Sequence, residues 1–369
     1  MAWPVLLLAR ELDLGGSERQ MTEIAKTLDR SRFVPHVACF RPQGIRNAEL
    51  AARGVPIVHF PVDAFTSFGA ISQAWRLADY IRQQGIRLVH TFDYPTTLFA
   101  VPVARWLTRA VVVSSQRSHR SLIPRKYLRW IRMTDRMSDA IVVNCEFVGR
   151  HLRNNESVPS ARIRLCYNGV DLDAFEPRKT ERDASPQNPL TIGVVCALRP
   201  EKDLGTLIEA FARVKRPGWR MLIVGSGSML ANLRLRVDAS GLADDCRFVP
   251  ATGNVAQWLR AIDIFVLPSR SEALSNSLLE AMACGCCPVA SRVGGTPELI
   301  RHGRNGMLFE PGDVDGLSTV LETLAELPVL REQLAEGARS TAQQFSMGAS
   351  ARCMEEIYTE LIESVERRR

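Results

Sequence analysis

The chain has no apolar run of the roughly 20 residues that a membrane-spanning helix needs, so any membrane contact is expected to be peripheral. Its apolar start, Val5-Leu6-Leu7-Leu8-Ala9, stops at Arg10-Glu11. That is too short for the core of a signal peptide, and neither a basic leader nor a small-residue cleavage site accompanies it. The run reads as a buried first strand, and the expected location is the cytoplasm. A disulfide framework is also missing: the nine cysteines are an odd number without patterned spacing. Cys284, Cys286 and Cys287 crowd one glycine, but no histidine or second cysteine pair follows at zinc-site spacing. Small buried thiols in a reducing compartment are expected. Repeats and low-complexity tracts are absent. The net charge of +7 favours anionic partners. No recognition motif or aromatic platform accompanies it, so nucleic acid is not an expected partner.

What is present fits a two-domain globular protein: 369 residues, 46% apolar and 24% charged. Short apolar runs alternate with longer helical patterns, which indicates parallel α/β sheets. Strands are expected at Val5–Ala9, Val34–Phe40, Ile57–Phe60, Leu88–Thr91, Val111–Ser115 and Ala140–Asn144. A second set follows at Thr191–Ala197, Arg220–Val224, Cys246–Val249, Ile264–Leu267 and Cys287–Ala290. Glu176–Pro189 holds three prolines among polar residues, has no apolar period and reads as a linker. The expected division is 1–175, linker 176–189, 190–345, and a last helix within 346–369. Two doubly wound domains of this kind would face a cleft, with ligands at the carboxyl ends of strands.

The most informative segment is Leu267-Pro-Ser-Arg-Ser-Glu-Ala-Leu-Ser-Asn-Ser-Leu-Leu-Glu-Ala-Met-Ala-Cys-Gly285. A buried strand gives way to a polar loop, then to a helix that Ser275 or Asn276 can cap and Gly285 can end. Free amides at a helix start bind phosphate, and the helix dipole adds to this. Glu272 precedes the helix and Glu280 lies about one turn inside it. Carboxylates are pure acceptors, suited to vicinal hydroxyls. On spacing alone, two surface glutamates flanking an amphipathic helix is an equal alternative.

The context around the pair decides between them. The Glu272-x7-Glu280 pair is followed by Ala281-Met282-Ala283, Gly285, Pro288-Val289-Ala290, Gly294-Gly295 and Pro297-Glu298-Leu299. This order resembles glycosyltransferase family 4, the retaining transferases of GT-B fold. Further matches are Gly15-Gly16-Ser17-Glu18, Tyr167-Asn168-Gly169-Val170-Asp171, Pro200-Glu201-Lys202, Gly225-Ser226-Gly227 and Gly303-Arg304-Asn305-Gly306. The resemblance implies two Rossmann-like domains and a C-terminal helix that returns to the first. It implies a nucleotide-diphosphate sugar as donor, a UDP-sugar by family frequency, and no metal or other cofactor. Glu280 would accept from the ribose hydroxyls, Glu272 would face the transferred sugar, and Lys202 would pair with the diphosphate. Gly225, Ser226 and the stretch Leu274, Ser275, Asn276 and Ser277 would hold phosphates or sugar. Gly15 and Gly16 would let the first loop approach the donor. Read alone, Gly225-x-Gly227 is equally a tight turn and Lys202 a solvated lysine.

Two departures stand out. The arginine usual five residues before the lysine is Ala197 here, with Arg199 as the candidate substitute or else an exposed arginine. The histidine common after the fifth strand is replaced by Gln116-Arg117-Ser118-His119. Arg117 and His119 are candidates for the sugar or acceptor, and His90 is either a third candidate or a core histidine. By resemblance, the departing phosphate acts as base for an acceptor entering on the same face, and the protein positions both substrates and stabilises diphosphate charge. Asp171-Leu172-Asp173 looks like a metal motif of another transferase fold, but its place in the Asn168–Asp171 block argues against metal. Between residues 117 and 136, seven basic side chains interleave with Leu128, Trp130, Ile131 and Met133. This suits an anionic membrane surface and a lipid-linked or glycan acceptor, or else an ordinary solvated helix. The rival readings are a sugar-nucleotide epimerase of the same fold and a transferase-like protein that binds without turnover.

Overall fold

The computed structural model describes residues 2–65, 67–177 and 190–367. The expected linker therefore lies, from residue 178 onward, outside the described residues. The chain divides into two compact units, Met1–Gly169 with Met347–Arg369, and Val170–Ser346.

The first unit is built on a seven-stranded parallel sheet. Its strands are β1 (Trp3–Glu11), β2 (Phe33–Arg41), β3 (Ile57–His59), β4 (Leu88–Thr91), β5 (Val111–Gln116), β6 (Ala140–Val143) and β7 (Ile163–Leu165), in the order β3-β2-β1-β4-β5-β6-β7. Val5–Ala9, Leu88–Thr91 and Ala140–Val143 are buried at every position. That is the pattern of central parallel strands covered on both faces, and it explains their unbroken apolar runs. The last helix, Met347–Glu366, belongs to this unit. Tyr358 is fully buried on it, edge-on to Phe33 at 6.0 Å, and Glu355 accepts the Asp29 amide at 2.7 Å. Gly169 passes so close to this helix that a Cβ would lie 2.7 Å from Met347 Cα. Gln20 clasps both sides of its peptide, donating to Gly169 O at 2.8 Å and accepting from its amide at 3.1 Å.

The second unit holds a six-stranded parallel sheet: β8 (Thr191–Val195), β9 (Arg220–Val224), β10 (Cys246–Val249), β11 (Ile264–Leu267), β12 (Cys287–Ser291) and β13 (Met307–Phe309), in the order β10-β9-β8-β11-β12-β13. Val170 leaves the first unit earlier than residue 175 because its amide bonds Phe345 O at 2.9 Å, beside the Val170–Ser346 bridge. The expected strands all form, within two residues at their ends. The three-residue edge strands β7 and β13 were not anticipated. No helix among the described residues is long and apolar enough to cross a membrane.

Candidate functional site

In the second unit the strand order reverses between β8 and β11. Ligands of doubly wound sheets settle at the carboxyl ends of such a strand pair. There β8 runs into Cys196–Lys202 and β11 into Pro268–Ser275, and the Arg270 amide laces the two loops by donating to Glu201 O at 2.8 Å. The Lys202 ammonium forms an ion pair with Glu272 Oε1. Ser269 Oγ donates to the same oxygen at 2.8 Å. The side chains keep only 18% and 9% of their exposure. Burial pulls the Lys202 pKa down, but the Glu272 carboxylate outweighs it and the net shift is upward. The ammonium is therefore charged throughout the neutral range. The neighbouring Cys196 thiol is pushed up to about 12, chiefly by burial, and stays neutral.

Glycines set the shape of this end of the sheet. Gly294 (φ +57°) lies where a Cβ would come within 1.9 Å of Glu272 O, and Gly295 N donates to Ala273 O at 2.8 Å. The Gly294-Gly295 turn thus presses on the backbone that carries Glu272. Gly225 (φ +150°) meets Cys196 O in the same way. Ser226 Oγ accepts the Ala251 amide at 3.0 Å. Ser275 caps the helix Asn276–Ala283 by accepting the Leu278 amide at 3.3 Å, and Gly285 follows that helix at φ +81°. Leu274 and Ser275 are buried, Asn276 and Ser277 half-buried, and Glu280 is 4% exposed.

Arg199 is exposed at the N-cap of the short turn Pro200–Lys202, and Ala197 is exposed as well. Among the described residues Arg199 forms no ion pair. Two contributors were missed in the sequence: Ser269, and Arg270, whose Nε donates to Asp203 Oδ2 at 2.8 Å. Both lie inside the Leu267–Gly285 segment, where the acidic pair and the helix start carry the sequence signal. Asp203 itself sits at φ +46° and starts the helix Leu204–Val214.

In the first unit a cavity of ≈ 80 Å³ is lined by Ser17, Phe92, Asp93, Tyr94, Gln116 and Arg117, among others. Arg117 stacks over Phe92 at 5.0 Å and donates to Asn168 Oδ1 at 2.7 Å. The other two sugar or acceptor candidates are placed differently. His90 is fully buried, with Nδ1 at 2.6 Å from Tyr358 Oη and Nε2 at 2.8 Å from Ser115 Oγ. Burial, helped by Arg117, holds its pKa well below the usual value. It is a neutral core histidine and no ligand contact. His119 does not line the cavity; its ring packs on His151 at 4.5 Å and on Phe147.

Gly15 has a local role as well: a Cβ there would sit 2.0 Å from Glu18 Oε2. Gly16 opens the helix Gly16–Thr27. Glu18 is 7% exposed, and its pKa is raised to about 7. Burial is the main cause; Asp93 and Glu11 add to it, while its own backbone amide and Arg10 oppose it. The folded pKa lies above the unfolded one, near 4.3. Stability from this group is therefore complete below that value and is lost as pH rises through about 7. Glu18→Gln is expected to come close to the parent in denaturant titrations at pH 4.5 and to exceed it by roughly 3 kcal/mol at pH 8. An equal difference at both pH values would contradict the buried, titrating carboxyl.

Comparisons with known proteins place the chain in a family. The family profile "Glycosyl transferases group 1" matches residues 176–341, and "Glycosyltransferase Family 4" matches residues 14–174. The chain belongs to the group 1, family 4 glycosyltransferases. Within the family, a D-inositol 3-phosphate glycosyltransferase of Jonesia denitrificans is 32% identical over 240 residues, covering 60% of this chain and 57% of that protein. The sulfoquinovosyl transferase of Arabidopsis thaliana is 28% identical over 282 residues, covering 71% and 54%. The chain thus spans little more than half the length of these curated relatives. Anabaena HepE, solved in complex with UDP and glucose, superposes with a TM-score of 0.86 at 21% identity over 97% of this chain and 99% of that one. The likeness establishes the GT-B fold, two Rossmann-like α/β domains.

Proposed function

We propose that the chain is a retaining, metal-independent glycosyltransferase that moves a hexose or N-acetylhexosamine from a nucleotide-diphosphate sugar, a UDP-sugar first, to a glycan or lipid-linked acceptor. One observation carries the reading: a charged lysine and a carboxylate converge at the strand-order reversal of the second unit, beside a helix start. Lys202 supplies positive charge where a diphosphate leaving group gains negative charge. Glu272 accepts from sugar hydroxyls, and Glu280 from the ribose. Family membership and the UDP bound by HepE support the donor class. The test is a thermal-shift series with UDP, GDP and ADP in chelator, followed by transfer assays. The cognate diphosphate at 100 times its dissociation constant adds about 2.7 kcal/mol. No shift with any of them would remove the donor assignment; binding without release of diphosphate from a sugar nucleotide would favour a non-catalytic binder.

The 117–136 stretch divides once folded. Arg120 is buried, so it is not part of a surface patch. Arg125, Lys126, Arg129, Arg132 and Arg136 are exposed on the helix Arg125–Met137, with Trp130 at 55%. Ile131 turns inward. Tyr127 on this helix meets Phe65 at 6.2 Å, and Phe68 nearby in sequence is 93% exposed. A cationic face with protruding aromatics fits peripheral docking on an anionic leaflet at the inner face of the cell membrane. Co-sedimentation with phosphatidylglycerol vesicles at low salt should fall severalfold for Trp130→Ser with Arg129→Glu. Equal sedimentation of parent and variant would end this part of the reading.

A further inference from the structure

Cys166 and Cys353 form a thiol pair outside the candidate site. Cys166 follows β7 and is 1% exposed; Cys353 is half-buried on the helix Met347–Glu366. Each sulfur touches the other's segment. Cys353 Sγ donates to Leu165 O at 3.4 Å, the residue before Cys166. Cys166 Sγ lies 3.5 Å from Ser350 O and 3.8 Å from Ser350 Oγ, one helical turn before Cys353. Both belong to the first unit, so the contact is internal to one compact body.

The electrostatic setting is also unlike that of the other thiols. Burial pushes Cys39 up to about 11 and Cys246, Cys284 and Cys287 up to about 12. Cys166 and Cys353 titrate as a pair: contact with Cys353, helped by Arg117 and Ser350, lowers Cys166 to about 7 against its burial, while Cys353 is raised. Arg117 has no carboxylate partner among the described residues; it meets Asn168 and the Phe92 ring, and its Nε is unpartnered. A buried guanidinium without a carboxylate favours negative charge beside it, and Arg117 accordingly draws the Cys166 pKa down. A thiolate next to a second, more exposed thiol is the arrangement of redox-sensing cysteines.

We propose that Cys166 and Cys353 are a redox-sensitive pair that a peroxide oxidant closes to a disulfide, fastening the end of β7 to the C-terminal helix. The proton shared by the pair moves to Cys166, the more exposed Cys353 thiolate takes one oxygen from the peroxide to give a sulfenic acid, and the hydroxide released takes the Cys166 proton and leaves as water. The Cys166 thiolate then attacks Cys353 Sγ. The S–S bond forms, the S–O bond breaks, and hydroxide leaves to become a second water on protonation. The thiols lose two electrons and the peroxide gains them. Closure also removes the thiolate beside Arg117, so the oxidation state of the pair reaches a side chain that lines the first-unit cavity.

The test uses the reduced full-length protein and hydrogen peroxide, followed by alkylation and non-reducing peptide mapping. The expected result is a dithiothreitol-reversible link between the peptides containing Cys166 and Cys353, with two of the nine thiols lost to a colorimetric thiol reagent. In Cys166→Ala the resolving thiolate is gone, and Cys353 should be trapped by dimedone. A link that joins other cysteines, or oxidation of Cys196 or Cys246 while Cys166 and Cys353 still alkylate fully, would overturn the pairing. Absence of a dimedone adduct on Cys353 in that variant would overturn the order of steps.

Discussion

Lys202→Ala is expected to lower turnover of the cognate sugar nucleotide by about 10²- to 10³-fold, the range for losing one group that stabilises developing negative charge. The ammonium is held in place before any ligand arrives. Glu272 keeps it charged against the pull of burial, and the Glu201–Arg270 backbone link fixes the loops that carry the two side chains. A preorganised charge costs little reorganisation when the leaving group forms. Glu280→Ala should behave differently. A hydroxyl acceptor acts on the bound nucleoside in ground state and transition state alike, so its loss is expected to raise KM for the donor about tenfold or more with a smaller change in kcat. Removing Lys202 also leaves Glu272 a nearly buried carboxylate with Ser269 as its remaining donor, so a fall in melting temperature should accompany the kinetic loss. Lys202→Ala with Glu272→Gln should recover stability without recovering turnover. Variants of Lys202 and Glu280 that transferred sugar like the parent would remove the site.

The parts of the fold legible in the sequence are those where one physical demand dominates. Strands buried on both faces carry short, mostly apolar runs, so β4, β9 and β11 could be read to the residue. β7 and β13 are three-residue edge strands with half-exposed positions. β7 buries no position fully, and β13 buries only Leu308 and Phe309, too short a run to show a pattern. The Glu272–Lys202 pair came through the order of motifs, because the sequence separates the partners by 70 residues and only the β8–β11 pairing brings them together. Ser269 and Asp203 were invisible for a related reason: their roles depend on a hydroxyl and a left-handed turn that only a loop conformation defines. The glycines of Gly294-Gly295 and Gly225-Ser226-Gly227 were noticed as motif letters. Their physical reason is close backbone approach, to Glu272 O and Cys196 O respectively. His90 and Arg120 show the converse. Each looked available for ligand or membrane, and each is consumed inside the first unit.

Arg120→Ala is accordingly expected to destabilise the first unit by about 3–5 kcal/mol, the cost of removing one partner from a buried ion cluster. The Arg120 side chain is 3% exposed, with its guanidinium 2.5 Å from Asp135 Oδ2 and 3.2 Å from Glu156 Oε2. Arg132 Nε also reaches Glu156 at 2.6 Å, but from the solvent side. Among the described residues Arg120 is the ion-pair partner of Asp135, and Arg132 adds only a weaker attraction from farther away. Burial raises its pKa even with Arg120 in place. Without Arg120 that pKa climbs further, and the folded state must either protonate Asp135 or bury it charged. The sign follows: the deficit of Arg120→Ala should be small at pH 4, where Asp135 can take up a proton, and should grow as pH rises toward neutrality. Chemical denaturation at both pH values measures this, and a pH-independent deficit would mean that packing, not charge, is what Arg120 supplies. Arg120→Met with Asp135→Leu should return most of the loss, because an apolar pair of similar volume replaces the ions. The same geometry restricts how the membrane reading can be tested. Arg120→Ala would weaken vesicle binding by loosening the helix Arg125–Met137 that Asp135 anchors, so only the exposed Arg129 and Trp130 can report on a surface interaction.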